Sequence, residues 1–234
     1  MTPRVIEEPV RLPIAGATLD GDLAIPENPT GLVVFAHGSG SGRDSPRNRY
    51  VASKLQNAGL GTLLLDLLTP QEEAADRKDC RFRFDVRLLS SRLLDVTDDL
   101  ARESRLRSLP IGLFGASTGA GAALLAAAAR PDGLRAVVSR GGRPDMAGGA
   151  LARVQAPTLL IVGGEDITVL QLNREALRRI GAERRELRVI PGASHLFPEP
   201  GALEEVSRLA ADWFRTYLVT EDTPTRAMSA SMVS

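Results

Sequence analysis

The chain has 234 residues, 43% of them apolar and 25% charged, with Lys plus Arg and Asp plus Glu equal at 29 each. That balance gives no reason to expect nucleic acid or an anionic membrane as a partner, and the length is enough to bury a substantial core. A single cysteine, Cys80, excludes an internal disulfide and a thiolate zinc cluster.

In chain order, the opening MTPRVIEEPV carries acidic residues where a secretory signal needs an apolar core, so a cytoplasmic protein is expected. No apolar run approaches the roughly 20 residues that span a bilayer, and no membrane insertion is expected. VIEEPVRL and TLDGDLAIP flank Pro13 to Gly16 and read as an antiparallel hairpin. Six short runs follow: LVVFAH (32–37), LGTLLLD (60–66), IGLFG (111–115), LRAVVSR (134–140), PTLLIVG (157–163) and ELRVIP (186–191). Most are near-continuous in apolar residues, as strands covered on both faces are.

Helical patterns separate these runs. Ser45-Pro46 supplies an N-cap and a first helical residue for a helix closing near Asn57-Ala58-Gly59. Val86, Leu89, Leu93, Val96 and Leu100 recur at steps of three and four, hence on one helical face; Leu203, Val206, Leu209, Trp213 and Tyr217 repeat the pattern. The charged segment from 67 to 85 reads as a loop that partly covers the strand ends. A hairpin followed by strand–helix units gives an α/β fold, a mostly parallel sheet with helices on both faces. Residues 1–220 are expected to form one domain, and 221–234, polar and unpatterned, a flexible tail.

GLFGASTGAGAALLAAAA (112–129) poses the functional question. A strand ends and a helix of the best helix formers begins, with Ser117 at the corner in a G-x-S-x-G frame. Such a turn crowds its neighbours, so glycine stands two residues before and after. It lifts the hydroxyl above the sheet edge at a helix N-terminus, whose free amides stabilise an oxyanion. The plain alternative is a serine that merely caps the helix.

A serine hydroxyl needs a base. Of two histidines, His195 in PGASHLF lies beyond the last strand, where a loop brings it over the sheet edge; His37 belongs to the loop FAHGSGSG. The base needs an acid to fix its tautomer. Asp166, after Gly163-Gly164 in IVGGEDITV, is the choice, with Glu165 the near rival and Asp145 a distant one. Oxyanion donors are expected at the backbone N–H of Thr118 and of Ser39, with Gly40 as alternative to Ser39. HGSGSG lacks the lysine of a phosphate-binding P-loop, which argues against a nucleotide-binding protein. A haloalkane dehalogenase would need a carboxylate where Ser117 stands.

The four features follow the order oxyanion loop, Ser, Asp, His, each at the C-terminal end of a strand, where open α/β sheets place their chemistry. HGSGSGR, GASTG, GGEDITV and GASHLF together resemble the α/β-hydrolase fold over residues 3 to 218. RFRFDVRLLSSRLLDVTDDL is similar to the dienelactone hydrolase family, whose namesake enzymes carry cysteine at the elbow. Serine in that place points towards the serine carboxylesterases of the wider group. The resemblance implies a sheet of about eight strands with the N-terminal hairpin.

The segment SRGGRPDMAGGALARVQA holds one short helix at most, so little or no cap is expected, and with it short to medium acyl chains. The expected activity is hydrolysis of a small-molecule carboxylic ester, with no cofactor and no metal, by a monomer or homodimer. Lactones and thioesters suit the same machinery. From another class, a ligand-binding protein on a hydrolase fold with little turnover is the rival. Arg43, Arg77, Arg81, Arg83, Arg140 and Arg143 lie towards the same sheet edge; each either binds a substrate carboxylate or is solvated surface charge.

Overall fold

A computed structural model describes residues 4–219. The polar tail expected from 221 lies outside the described residues. Strands β1 (Val5–Ile14) and β2 (Ala17–Pro26) form the hairpin, followed by β3 (Leu32–Ala36), β4 (Gly61–Leu65), β5 (Ile111–Ala116), β6 (Ala136–Arg140), β7 (Thr158–Gly163) and β8 (Arg185–Ile190). They make one eight-stranded sheet in the order β1-β2-β4-β3-β5-β6-β7-β8. β1 pairs antiparallel with β2, and β2 with β4; every other pairing is parallel. Five of the six runs are thus strands buried on both faces, the edge strand β8 being mostly exposed, and the ends of all six agree with the sequence reading to within two residues.

Side chains alternate between two cores, as the period of a strand requires. In β3, Leu32, Val34 and Ala36 face one layer, and Val33 and Phe35 the other. The first layer packs under helices α3 (Val86–Leu100) and α4 (Thr118–Ala129); the second packs under α1 (Pro46–Asn57) and α6 (Ala202–Tyr217). Phe35 and Phe114, adjacent across β3 and β5 with ring centroids 4.8 Å apart, anchor the second. Burying rings of that size stabilises by roughly 1.5–3 kcal/mol each. Helix α5 (Ile167–Arg179) connects β7 to β8.

Residues 67–85 depart from the sequence expectation. They contain a helix, α2 (Pro70–Asp79), where a loop was expected. Thr69 and Glu72 form a reciprocal capping box and Pro70 occupies the first turn. The helix has almost no apolar face; charge holds it instead. Arg92 of α3 donates to Glu72 at 2.8 Å and to the Leu67 carbonyl at 2.6 Å, and Arg83 pairs with the buried Asp76. Between β6 and β7 stand only 3₁₀ turns over Pro144–Arg153, broken at Gly148, so no cap domain rises there. Among the described residues no helix is long and apolar enough to cross a membrane.

Candidate active site

The parallel strands β3, β5, β6, β7 and β8 end on one side of the molecule, and the candidate residues are gathered there. Ser117 sits between β5 and α4 with φ 50° and ψ −120°, a left-handed conformation that costs a non-glycine residue energy. Backbone bonds hold it there. Its N–H donates to the Arg140 carbonyl at 3.1 Å, and its own carbonyl accepts from Arg143 N at 3.0 Å and Ala120 N at 3.1 Å. Ser117 occupies the N-cap position of α4, yet its side chain makes no capping bond. The plain capping role therefore does not describe this serine.

Glycine is required on both sides by contact. A Cβ on Gly115 would lie 2.4 Å from Ala120 Cα, and one on Gly119 would lie 2.2 Å from the Ala36 carbonyl oxygen and 2.4 Å from that of His37. α4 thus runs hard against the end of β3. This contact also brings the loop after β3 to the serine, since a Cβ on Gly38 would stand 3.2 Å from Ser117 Cβ. Among the described residues, neither the Ser39 nor the Thr118 amide donates to an acceptor. Thr118 is buried, as the first residue of α4.

His37 fixes this loop. Its Nδ1 lies 2.9 Å from the Gly38 carbonyl, and its Nε2 accepts from Leu67 N at 2.9 Å, so Nδ1 carries the proton. Burial lowers its pKa, outweighing the Gly38 bond and the acids Asp66 and Glu73 that raise it. The neutral ring ties the end of β3 to the end of β4, a structural part in keeping with the sequence reading.

On the far side, His195 and Asp166 meet. His195 Nδ1 is 2.6 Å from Asp166 Oδ2, with the imidazole 38% exposed and the carboxylate 14%. The loops carrying them are joined by Gly164 N to Ile190 O at 2.8 Å and Glu165 N to Ala193 O at 3.0 Å. Glu199 accepts from Ser194 N at 3.0 Å and braces the histidine loop. The loop also lies close to β6, for a Cβ on Gly141 would stand 3.1 Å from the His195 carbonyl oxygen.

The rival acids are placed elsewhere. Asp145 spends both oxygens on Arg143, at 2.8 and 2.7 Å, and Glu165 is exposed. Most of the arginines have partners of their own. Arg43 pairs with Asp66 at 2.7 Å, Arg81 with Asp79 at 2.9 Å, Arg83 with Asp76, and Arg77 reaches Glu73 at 3.9 Å. Arg140 is not the solvated surface charge that one sequence reading allowed. It belongs to the strand β6, is buried, and among the described residues has no carboxylate against it. Cys80 is exposed at the end of α2. Among the described residues no group of three His, Cys, Asp or Glu is placed to hold a metal ion.

Comparison with known proteins bears on this geometry. The family model for the dienelactone hydrolase family matches residues 19–218. A crystal structure of a dienelactone hydrolase from Anabaena variabilis is 55% identical with a TM-score of 0.89, covering 93% of this chain and 100% of that one. Est1E from Butyrivibrio proteoclasticus, 16% identical with a TM-score of 0.74 over 89% of this chain and 98% of its own, shares the fold. Two Mycobacterium tuberculosis proteins, from strains CDC 1551 and H37Rv and each named "Putative phosphoribosyl transferase", are 56% identical over 216 residues. That match covers 92% of this chain and 48% of theirs, so the chain spans about half the length of the curated relatives it matches.

Proposed function

The chain belongs to the dienelactone hydrolase family, and on that premise we propose that it is a serine hydrolase of carboxylic esters with short to medium acyl chains. One observation carries the reading. The 2.6 Å contact between His195 and Asp166 stands on the same strand-end surface as a serine held at φ 50° with no capping bond. A histidine whose Nδ1 is committed to a carboxylate presents Nε2 as the base.

In this mechanism Ser117 Oγ attacks the ester carbonyl carbon while His195 Nε2 takes the hydroxyl proton. The carbonyl π electrons move onto oxygen, where the Ser39 and Thr118 amides receive the charge. Collapse of the tetrahedral adduct breaks the ester C–O bond, and His195 returns its proton to the leaving alcohol. Water then repeats the sequence on the acyl-enzyme, releasing the acid and restoring Ser117. Asp166 holds the imidazole tautomer and stabilises the imidazolium. The absence of a cap between β6 and β7 supports an open site and limited acyl length.

Lactone hydrolysis is the second reading, supported by the name of the Anabaena relative at 55% identity. A lactone differs only in that the leaving alkoxide stays tethered to the acyl group. Phosphoribosyl transfer, the activity in the curated relatives' name, belongs to proteins of which this chain matches 48%, and a strained serine at the same strand ends as a histidine–carboxylate pair supports acyl transfer instead.

The test is turnover of 4-nitrophenyl acetate, butyrate, octanoate and palmitate, with Ser117→Ala alongside. The expected result is a rate falling with chain length and lost in the variant. Turnover that survives in Ser117→Ala removes the serine from the mechanism. Saturable ligand binding with negligible product would favour the binding-protein alternative.

A further inference from the structure

The alternation of β6 places Arg140 in phase with Ala136 and Val138, on the face covered by α1 and α6. A guanidinium in that layer is unusual, and this one is only 7% exposed. Its Nη2 lies 3.5 Å from Asn48 Oδ1, a long contact to a neutral acceptor, while Nε and Nη1 are buried without any partner. Burial pushes its pKa down to about 10, with the charge of Arg47 adding to the effect, so it keeps its proton at neutral pH.

Arg47 is the second member. It stands in the first turn of α1, next to Asn48, and its Nε is likewise buried and unpartnered. It also lines a recess of about 770 Å³ with His37, Ser39 and Gly40. The surroundings are not simply basic, because Arg43, Arg83 and Arg143 each have a carboxylate of their own. Arg47 and Arg140 have no ion-pair partner among the described residues. Asp44, Asp66, Glu73 and Asp76 also line the recess, each paired with another arginine, and Arg140 lies behind Asn48 rather than in its lining. The 12-residue helix α1 adds the positive end of its dipole there.

We propose that Arg47 and Arg140, at the first turn of α1 beside the serine elbow, bind a phosphate group carried as a monoester on the substrate. The charge count selects phosphate. A dianion balances two guanidiniums, whereas a carboxylate leaves one buried cation unbalanced. Guanidinium forks also match phosphate oxygens, and their unpartnered nitrogens are the donors it requires. The site adjoins the chemistry, for the Arg140 carbonyl accepts the Ser117 N–H at 3.1 Å and Arg47 shares its recess with Ser39. The anion site stands on its own observations; its use as a substrate subsite rests on the ester hydrolysis proposed above.

Two measurements separate these parts. The first is thermal unfolding of the full chain with inorganic phosphate, in the wild type, Ser117→Ala, Arg47→Gln and Arg140→Met. Phosphate should raise the unfolding temperature of the first two, and bind the two arginine variants about tenfold more weakly. An equal response in all four, or none in any, overturns the site. Arg47→Gln, at a half-buried position, keeps the test valid should Arg140→Met fail to fold.

The second compares kcat/KM for 4-nitrophenyl 3-phosphonopropionate, 4-nitrophenyl hydrogen glutarate and neutral 4-nitrophenyl butyrate. The phosphonate should be preferred over butyrate by about tenfold or more, and the ratio should fall towards one in Arg47→Gln. Preference for the glutarate overturns phosphate in favour of a carboxylate. Equal rates on all three overturn the substrate role. If no ester is turned over while the phosphate response still depends on both arginines, the anion site is upheld and ester hydrolysis fails.

Discussion

Asp166 Oδ2 lies 2.6 Å from His195 Nδ1, although Asp166 occupies the N-cap of α5, where a carboxylate ordinarily bonds the amides of its own helix. Its side chain makes no such bond, so the helix forgoes a cap in favour of a histidine 29 residues away. Asp166→Asn should preserve the fold and lower kcat by about 10⁴-fold, because the amide favours the wrong imidazole tautomer. Glu165→Gln, at the exposed neighbour, should leave kcat unchanged. Steady-state kinetics with 4-nitrophenyl butyrate decides between the two acids, and a larger loss in Glu165→Gln would reassign the role.

Ser117 pays in backbone strain for its place on the elbow. A non-glycine residue at φ 50°, ψ −120° carries about 1–3 kcal/mol of conformational cost. Both Ser117→Gly and Ser117→Ala should abolish ester turnover. Glycine should nevertheless leave the protein more stable than alanine by about 1 kcal/mol, the reverse of their order inside a helix. Urea unfolding of the two variants measures this, and equal or inverted midpoints would mean that the elbow is unstrained.

The strands and the elbow were legible because their signals are local. Continuous apolar runs mark strands buried on both faces, and Gly115 and Gly119 mark contacts with Ala120 and Ala36 that no side chain survives. Asp166 and His195 were legible from position, each just past the end of a strand. α2 was not, because its stability comes from the distant Arg92 and from Arg83, leaving PQEEAADRKD without an apolar stripe. The sequence does hold one sign of it, Thr69-Pro70-Gln71-Glu72, a capping box with proline at the first position. The burial of Arg140 was not legible for a related reason. Its burial depends on strand phase and on the first turn of α1, which spacing alone does not reveal.

The packing of α4 against β3 links the elbow to the oxyanion loop, and Gly119 is the point of contact. Adding a methyl group at 2.2 Å from the Ala36 oxygen forces the helix away from the strand. Gly119→Ala should cost about 1–3 kcal/mol of stability despite alanine's better helix propensity. It should also lower kcat, since the Thr118 amide moves with the helix while Ser39 stays with β3. Gly133→Ala, whose Cβ meets only Arg130 Cβ at 3.6 Å, is the control and should change neither.

His37 gives the fold a pH dependence of its own. Its pKa is lowered in the folded protein, chiefly by burial, from the ordinary value of 6.5. Between that value and the lower folded one, the unfolded chain binds a proton that the folded chain does not. Stability is therefore full above 6.5 and declines as pH falls towards the folded pKa. His37→Gln removes the titration while leaving an amide oxygen to accept the Leu67 N–H. Unfolding free energies measured from pH 7.5 to 5.0 should decline more steeply in the wild type than in the variant. Identical slopes would mean that the ring takes up its proton in place, and that the oxyanion loop does not depend on a neutral His37.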